Sequence, residues 1–209
     1  MSEDLFFTFV FIAFGFAILP FLLVLYFSIR KRKLDQILIL ICIVEFLTTS
    51  TNLFIHFTNF GYLKEQFYLY YILEIICWVY ILSKFYLKRK ISIILIILIF
   101  CCLLFLTITY LFFAFEFISK ITQLALGINM FWFQIKDSDS KIYKFKNPLI
   151  YVSIGIMLYT FLTINLFIFK DLLMKLNLDD FAFTWGVHQI AAIIYFSLLS
   201  ISIWQSQKI

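Results

Sequence analysis

Glycine is scarce in this chain, with five in 209 residues, and none falls in a GxxxG pattern or a phosphate-binding loop. That excludes nucleotide-loop chemistry and leaves no signal for close glycine-mediated helix crossing. Four cysteines occur, Cys42, Cys77, Cys101 and Cys102, all inside apolar runs. No CxxC spacing exists, so neither a disulfide framework nor a metal knuckle is expected, and the thiols read as small buried hydrophobes. Two histidines, His56 and His188, cannot make a three-histidine zinc site. No GxSxG and no intramembrane aspartate pair is present, so the known intramembrane protease chemistries lack their parts. Polar stretches are short, the longest being 136–147, which leaves no room for a soluble domain. No internal repeat is visible.

What fills the chain is apolar. Hydrophobic residues make up 64%, phenylalanine alone numbers 29, and mean hydropathy is +1.03. Ordinary soluble domains are roughly 45–50% apolar. A water-soluble fold could not bury this much, because surface scales too steeply with volume at this size. A bilayer removes that limit, and the phenylalanine excess reads as lipid-facing surface.

A spanning helix needs about 20 apolar residues. Six runs meet that length, at 5–29, 37–57, 67–87, 91–115, 148–169 and 181–204, and a shorter, more polar seventh covers 117–135. The expected fold is therefore an all-α membrane protein, a single seven-transmembrane-helix bundle over 1–209. Its N-terminus is outside and its C-terminus cytoplasmic. The acidic start, Met1-Ser2-Glu3-Asp4, and a long first run ending in Arg30-Lys31-Arg32-Lys33 fit a retained helix rather than a cleaved signal. With seven spans, thirteen of the 17 basic residues fall on the cytoplasmic side, Lys120 being counted among the four outside. If 117–135 does not span, the split becomes ten to seven, so positive-inside bias favours seven. The net charge of +5 is a topology signal, and no nucleic-acid partner is expected. Pro20 predicts a kink in the first helix. Asn147-Pro148 predicts an N-cap and first-turn proline opening the sixth. The seventh helix carries no lysine, so there is no Schiff-base site for retinal. No cofactor and no metal site is expected.

Few polar residues lie at membrane depth, and ionisable ones there are functional candidates by default. In the second helix Glu45, Thr49, Asn52 and His56 repeat at helical spacing and form one polar stripe, with Thr48 beside it. Glu74 lies in the third helix near Tyr70, Tyr71 and Trp78, Asn165 in the sixth, and His188 in the seventh beside Gln189 and Trp185. By depth, Glu45, Thr49, Asn52, His56, Glu74, Asn165 and His188 line one outward-facing ligand pocket, with Gln123 nearby and Glu45 at the floor. The plainer reading makes them interhelical hydrogen-bond partners. It weighs more for Asn52, Gln123, Asn165 and Gln189 than for the two glutamates, since a bare carboxylate in lipid must be neutralised or paired. No lysine or arginine is expected at the depth of either glutamate.

Val44-Glu45-Phe46, Tyr70-Tyr71-Ile72-Leu73-Glu74, Asn147-Pro148-Leu149 and Trp185-Gly186-Val187-His188 together resemble a group of small bacterial seven-helix membrane proteins. Its members carry a Glu in helices two and three, an Asn-Pro-Leu start to helix six and a Trp-x-x-His in helix seven. The resemblance spans nearly the whole chain. It implies the bacterial inner (cytoplasmic) membrane and, because members often accompany histidine kinases with little sensory domain of their own, a sensor role by association. The expected function is thus a membrane sensor or signalling accessory subunit acting through a partner membrane or cytoplasmic signalling protein. The alternatives are a proton- or cation-coupled transporter or channel using Glu45 and Glu74, and an intramembrane lipid-acting enzyme using Glu74 with His56 or His188. No catalytic set stands out.

Overall fold

A computed structural model describes residues 3–32, 34–57, 71–72, 74–81, 111–136, 147–168 and 178–207. Six helices and no strand stand among them: α1 (Glu3–Ile29), α2 (Gln36–Phe57), α3 (74–81, preceded by helical 71–72), α4 (Leu111–Lys136), α5 (Pro148–Ile168) and α6 (Leu178–Ser206). α4 packs on α5, α5 on α6, α6 on α1, and α2 on both α1 and α6.

Local chemistry sets the ends. α1 runs unbroken through Pro20. It stops at Lys31, whose φ of 53° is the left-handed turn normally given to glycine. Lys31 N–H donates to Ser28 O and Arg32 N–H to Phe27 O, the paired bonds of a Schellman cap. Asp35 Oδ1 then accepts the Ile37 N–H at 2.8 Å and opens α2. Asn147 does the same for α5, accepting the Leu149 N–H at 3.0 Å with Pro148 as the first helical residue.

One end of the bundle can be called the basic end, because Arg30, Lys31 and Arg32 turn the chain there. Phe27 meets the Trp204 ring, Ser202 Oγ donates to Pro148 O at 2.7 Å, and Asn147 Nδ2 donates to Gln134 Oε1. The ends of α1, α4 and α6 therefore gather with the starts of α2 and α5. Above them an apolar layer built from Leu38, Ile41, Ile81, Leu126, Met130, Ile156, Leu199 and Ile203, all essentially without solvent contact, fills the half of the bundle nearer that end. Buried Cys42 joins it.

Three helical stretches are long and apolar enough to cross a membrane: Phe11–Ile29, Pro148–Asn165 and Gly186–Ser206. α2 contributes a shorter apolar stretch, Gln36–Thr51. α4 is more polar, but its 26 residues reach about 39 Å. Phe11, Leu22, Leu47, Ile128, Phe161 and Ile201 are among many exposed large apolar side chains. In water such a surface would aggregate; against hydrocarbon it is solvated. The chain is a helical membrane protein in contact with the bilayer.

The helices themselves depart from the sequence expectations at α4 and at their close crossings. A helix boundary was expected near residue 116, but α4 runs continuously from Leu111 to Lys136. The rest of the expected 91–115 helix lies outside the described residues. Close crossings also occur without GxxxG. A Cβ on Gly127 would stand 2.9 Å from Ile156 Cγ2, and one on Gly155 would stand 3.0 Å from Tyr195 Cδ2. Single glycines suffice where α4 meets α5 and α5 meets α6, because the atoms nearest each belong to side chains, Ile156 and Met157 at Gly127 and Tyr195 and Leu198 at Gly155, rather than to a second backbone.

Candidate functional site

Most hydroxyls and amides in these helices are satisfied within their own helix. Thr48 donates to Glu45 O, Thr122 to Ile118 O, Asn129 to Ala125 O, Thr160 to Ile156 O and Ser200 to Phe196 O. That is how lipid-embedded polar groups avoid an unmet donor. At one level, just past the apolar layer, side chains instead reach across.

Glu45 of α2 is its anchor. Its Oε1 accepts Gln123 Nε2 from α4 and Tyr195 OH from α6, each at 2.8 Å. Glu74 of α3 accepts Trp78 Nε1 from its own helix at 3.4 Å, and Lys120 Nζ from α4 forms an ion pair with the same Oε1 at 3.3 Å. Lys120 also donates to Gln123 Oε1 at 3.4 Å and stands 5.3 Å above the Tyr159 ring of α5. Lys120 thus spreads its donors over a carboxylate, an amide and an aromatic face, so each contact is longer than a dedicated charge-assisted bond of about 2.8 Å. The Tyr159 ring stacks on Tyr195 at 5.5 Å and lies 5.3 Å from the His188 ring, whose Nδ1 bonds Thr163 Oγ1 at 3.2 Å. Five helices, α2 to α6, meet in this one network. Glu45, Glu74, Lys120, Gln123 and Tyr195 are all buried.

Helical periodicity explains the convergence. On α4, Ser119, Gln123, Leu126 and Met130 follow the i, i+4, i+7, i+11 rule and have no solvent contact. On α6, Ala192, Tyr195, Leu199 and Ile203 follow the i, i+3, i+7, i+11 spacing and are buried, with His188 one turn before Ala192. Each stripe is apolar toward the basic end and polar at the level of the cluster. At about 1.5 Å per residue, Glu45, Tyr159 and Tyr195 lie about 14–17 Å from the basic ends of their helices. That is close to half of a hydrocarbon core roughly 30 Å thick.

Of the residues proposed from sequence, Glu45 and Glu74 are linked through Gln123 and Lys120, and His188 borders the cluster through Tyr159. Thr49 is half-buried one turn from Glu45. Asn165 does not join, since its amide donates to Phe161 O at 2.8 Å within α5. The side chains of Asn52 and His56 lie outside the described residues. His188 Nδ1 bonds Thr163 Oγ1 of α5.

Lys120 is the main correction. From sequence it belonged to the outer surface, with no cation at the depth of the glutamates. Because α4 is already helical at Leu111, Lys120 lies at least about two and a half turns inside the helix, against Glu74. The signal was available: one lysine three residues before Gln123 in an apolar run, facing two glutamates that need a counter-charge. Tyr159 and Thr163 were missed because aromatic and hydroxyl side chains are unremarkable in such helices. No family model, curated protein or solved structure matches the chain.

Proposed function

We propose that the protein is a small membrane sensor or signalling accessory subunit, in which the cross-helix polar cluster is the ligand-responsive element and a partner protein supplies the output. One observation carries this reading: the cluster joins α2, α3, α4, α5 and α6 at a single level and is closed toward the basic end by the apolar layer. A ligand that rearranges these few contacts acts on five helices at once, which is what a two-state bundle needs to transmit a signal. A conduit needs a polar path through both halves, and in the basic half the buried hydroxyls of Ser153 and Ser200 are taken up by carbonyls of their own helices.

In this reading the chain crosses the bilayer seven times, with its N-terminus outside, in the inner membrane of a bacterium. Helix direction supports seven. α2 runs away from the basic end and α4 returns to it, so an even number of crossings lies between them. The apolar runs expected from the sequence at 67–87 and 91–115 are the candidates for those crossings. Basic-residue asymmetry and the resemblance to small bacterial seven-helix proteins support the orientation and the setting.

The test is co-purification from native membranes in mild detergent, with mass spectrometry of proteins and bound small molecules. A stoichiometric kinase or other effector is expected. A preparation free of any partner would overturn the signalling role. The two carboxylates joined through a lysine favour a second reading, a proton-coupled transporter. It requires proton flux in proteoliposomes that Glu45→Gln abolishes.

A further inference from the structure

The turn between α1 and α2 gathers positive charge that its neighbours do not neutralise. Arg30, Lys31 and Arg32 are exposed in succession. Among the described residues, none of the three pairs with a carboxylate. The nearest acid in sequence, Asp35, turns its Oδ1 to the Ile37 N–H of α2. The backbone of the turn is held in place. Lys31 sits at a φ of 53°, its N–H donates to Ser28 O, and the Arg32 N–H donates to Phe27 O. The three cations therefore project from a fixed cap rather than from a loose loop.

The surface beside the turn is apolar. Leu22, Leu25 and Ile29 are 52%, 43% and 80% exposed, and at helical spacing they form a ridge that ends at Arg30. Arg30 folds its guanidinium back over the Tyr26 ring at 4.9 Å. Tyr26 meets Phe27 edge-on at 5.2 Å, and Phe27 meets the half-exposed Trp204 of α6 at 5.8 Å. Exposed tyrosine and tryptophan rings mark the level of lipid headgroups. The cations thus stand at the depth of lipid phosphates, with a hydrocarbon-facing ridge directly below them.

We propose that the α1–α2 turn binds one anionic phospholipid, with its phosphate among Arg30, Lys31 and Arg32 and an acyl chain along Leu22, Leu25 and Ile29. Guanidinium groups offer forked N–H donors that match phosphate oxygens two at a time, and the lysine adds a point charge. A zwitterionic lipid brings its own ammonium, which the three cations repel, so the turn selects for net negative charge. Free phosphate would satisfy the cations and leave the ridge unused. A soluble acidic protein would satisfy them without reaching the ridge inside the hydrocarbon. The site stands apart from the sensor reading, since it needs neither the polar cluster nor a partner protein.

The experiment follows tryptophan fluorescence of the full chain in phosphatidylcholine vesicles. Phosphatidylglycerol or phosphatidylcholine with brominated acyl chains is titrated in, and Trp204→Phe identifies the Trp204 contribution. Bromine quenches only a ring it touches. Brominated phosphatidylglycerol is expected to quench Trp204 at the lower mole fraction, by about fivefold for each charge engaged. The preference shrinks as salt is raised and collapses when Arg30→Gln and Arg32→Gln are combined. The salt series reads the wild-type chain, so it decides the matter even where the double variant fails to fold. Equal quenching by the two lipids overturns the proposal, and so does a preference that the folded double variant keeps. A preference abolished by inorganic phosphate, at an ionic strength where chloride leaves it intact, gives the turn to free phosphate instead. Equal quenching, together with a protein that co-purifies with the wild type and is lost from the double variant, gives it to an acidic partner.

Discussion

Replacing Lys120 by methionine keeps the aliphatic stem and removes the ammonium. It leaves the Glu74 carboxylate, 3% exposed, without its counter-charge. Stripping one partner from a buried pair costs about 3–5 kcal/mol, because the remaining charge stays desolvated. An ordinary interhelical hydrogen bond in a membrane contributes far less, about 0.6 kcal/mol on average and at most about 1.7. These two ranges do not overlap, so a double-mutant cycle decides between them. Lys120→Met, Glu74→Gln and the double variant are compared by reversible unfolding in bicelles. The coupling energy is expected to exceed about 1.7 kcal/mol, with the double variant more stable than Lys120→Met alone. A coupling of about 0.6 kcal/mol or less would refute the description of Lys120 and Glu74 as a buried ion pair.

Glu45→Leu leaves Gln123 Nε2 and Tyr195 OH without their shared acceptor, at about 1–3 kcal/mol for each donor, whereas Glu45→Gln keeps an acceptor oxygen and costs much less; the same unfolding assay ranks them. Gly127→Ala drives a Cβ into Ile156 and Met157 and destabilises by about 1–3 kcal/mol. Gly15→Ala, with nothing within 4 Å of the new Cβ, is neutral or stabilising by up to about 1 kcal/mol. If the two glycine variants behave alike, the α4–α5 contact at Gly127 is misplaced. Asn147→Ala removes the cap of α5 and lowers stability by about 1 kcal/mol, an effect that vanishes if Leu149 N–H finds another acceptor.

Much of this was legible without coordinates. Apolar length placed α1, α2, α5 and α6 to within a few residues, because lipid demands long unbroken helices with internally satisfied backbones. Asn147-Pro148 marked the start of α5, because a cap acts over three residues. Glu45 and Glu74 stood out because a carboxylate in hydrocarbon needs a reason. Where the composition signal weakened, the reading shifted. Polar residues in 117–135 concealed a helix already formed at Leu111, and that error in register carried Lys120 to the wrong depth. Asn165 looked like a pocket residue, yet an i−4 carbonyl satisfies it within its own helix.

The sequence by itself determined that this chain lives in a bilayer, that its described segments are helical and which side chains are too costly to be there by accident. Those properties follow from local composition and from a solvent that permits few backbone solutions. Only the tertiary structure decided which polar groups meet. Glu45 is 78 residues from Gln123 and 150 from Tyr195, and Glu74 is 46 from Lys120. Such pairs depend on which helices become neighbours and on how each is rotated. Periodicity assigns every residue a face on its own helix, and packing chooses the helix that face will see.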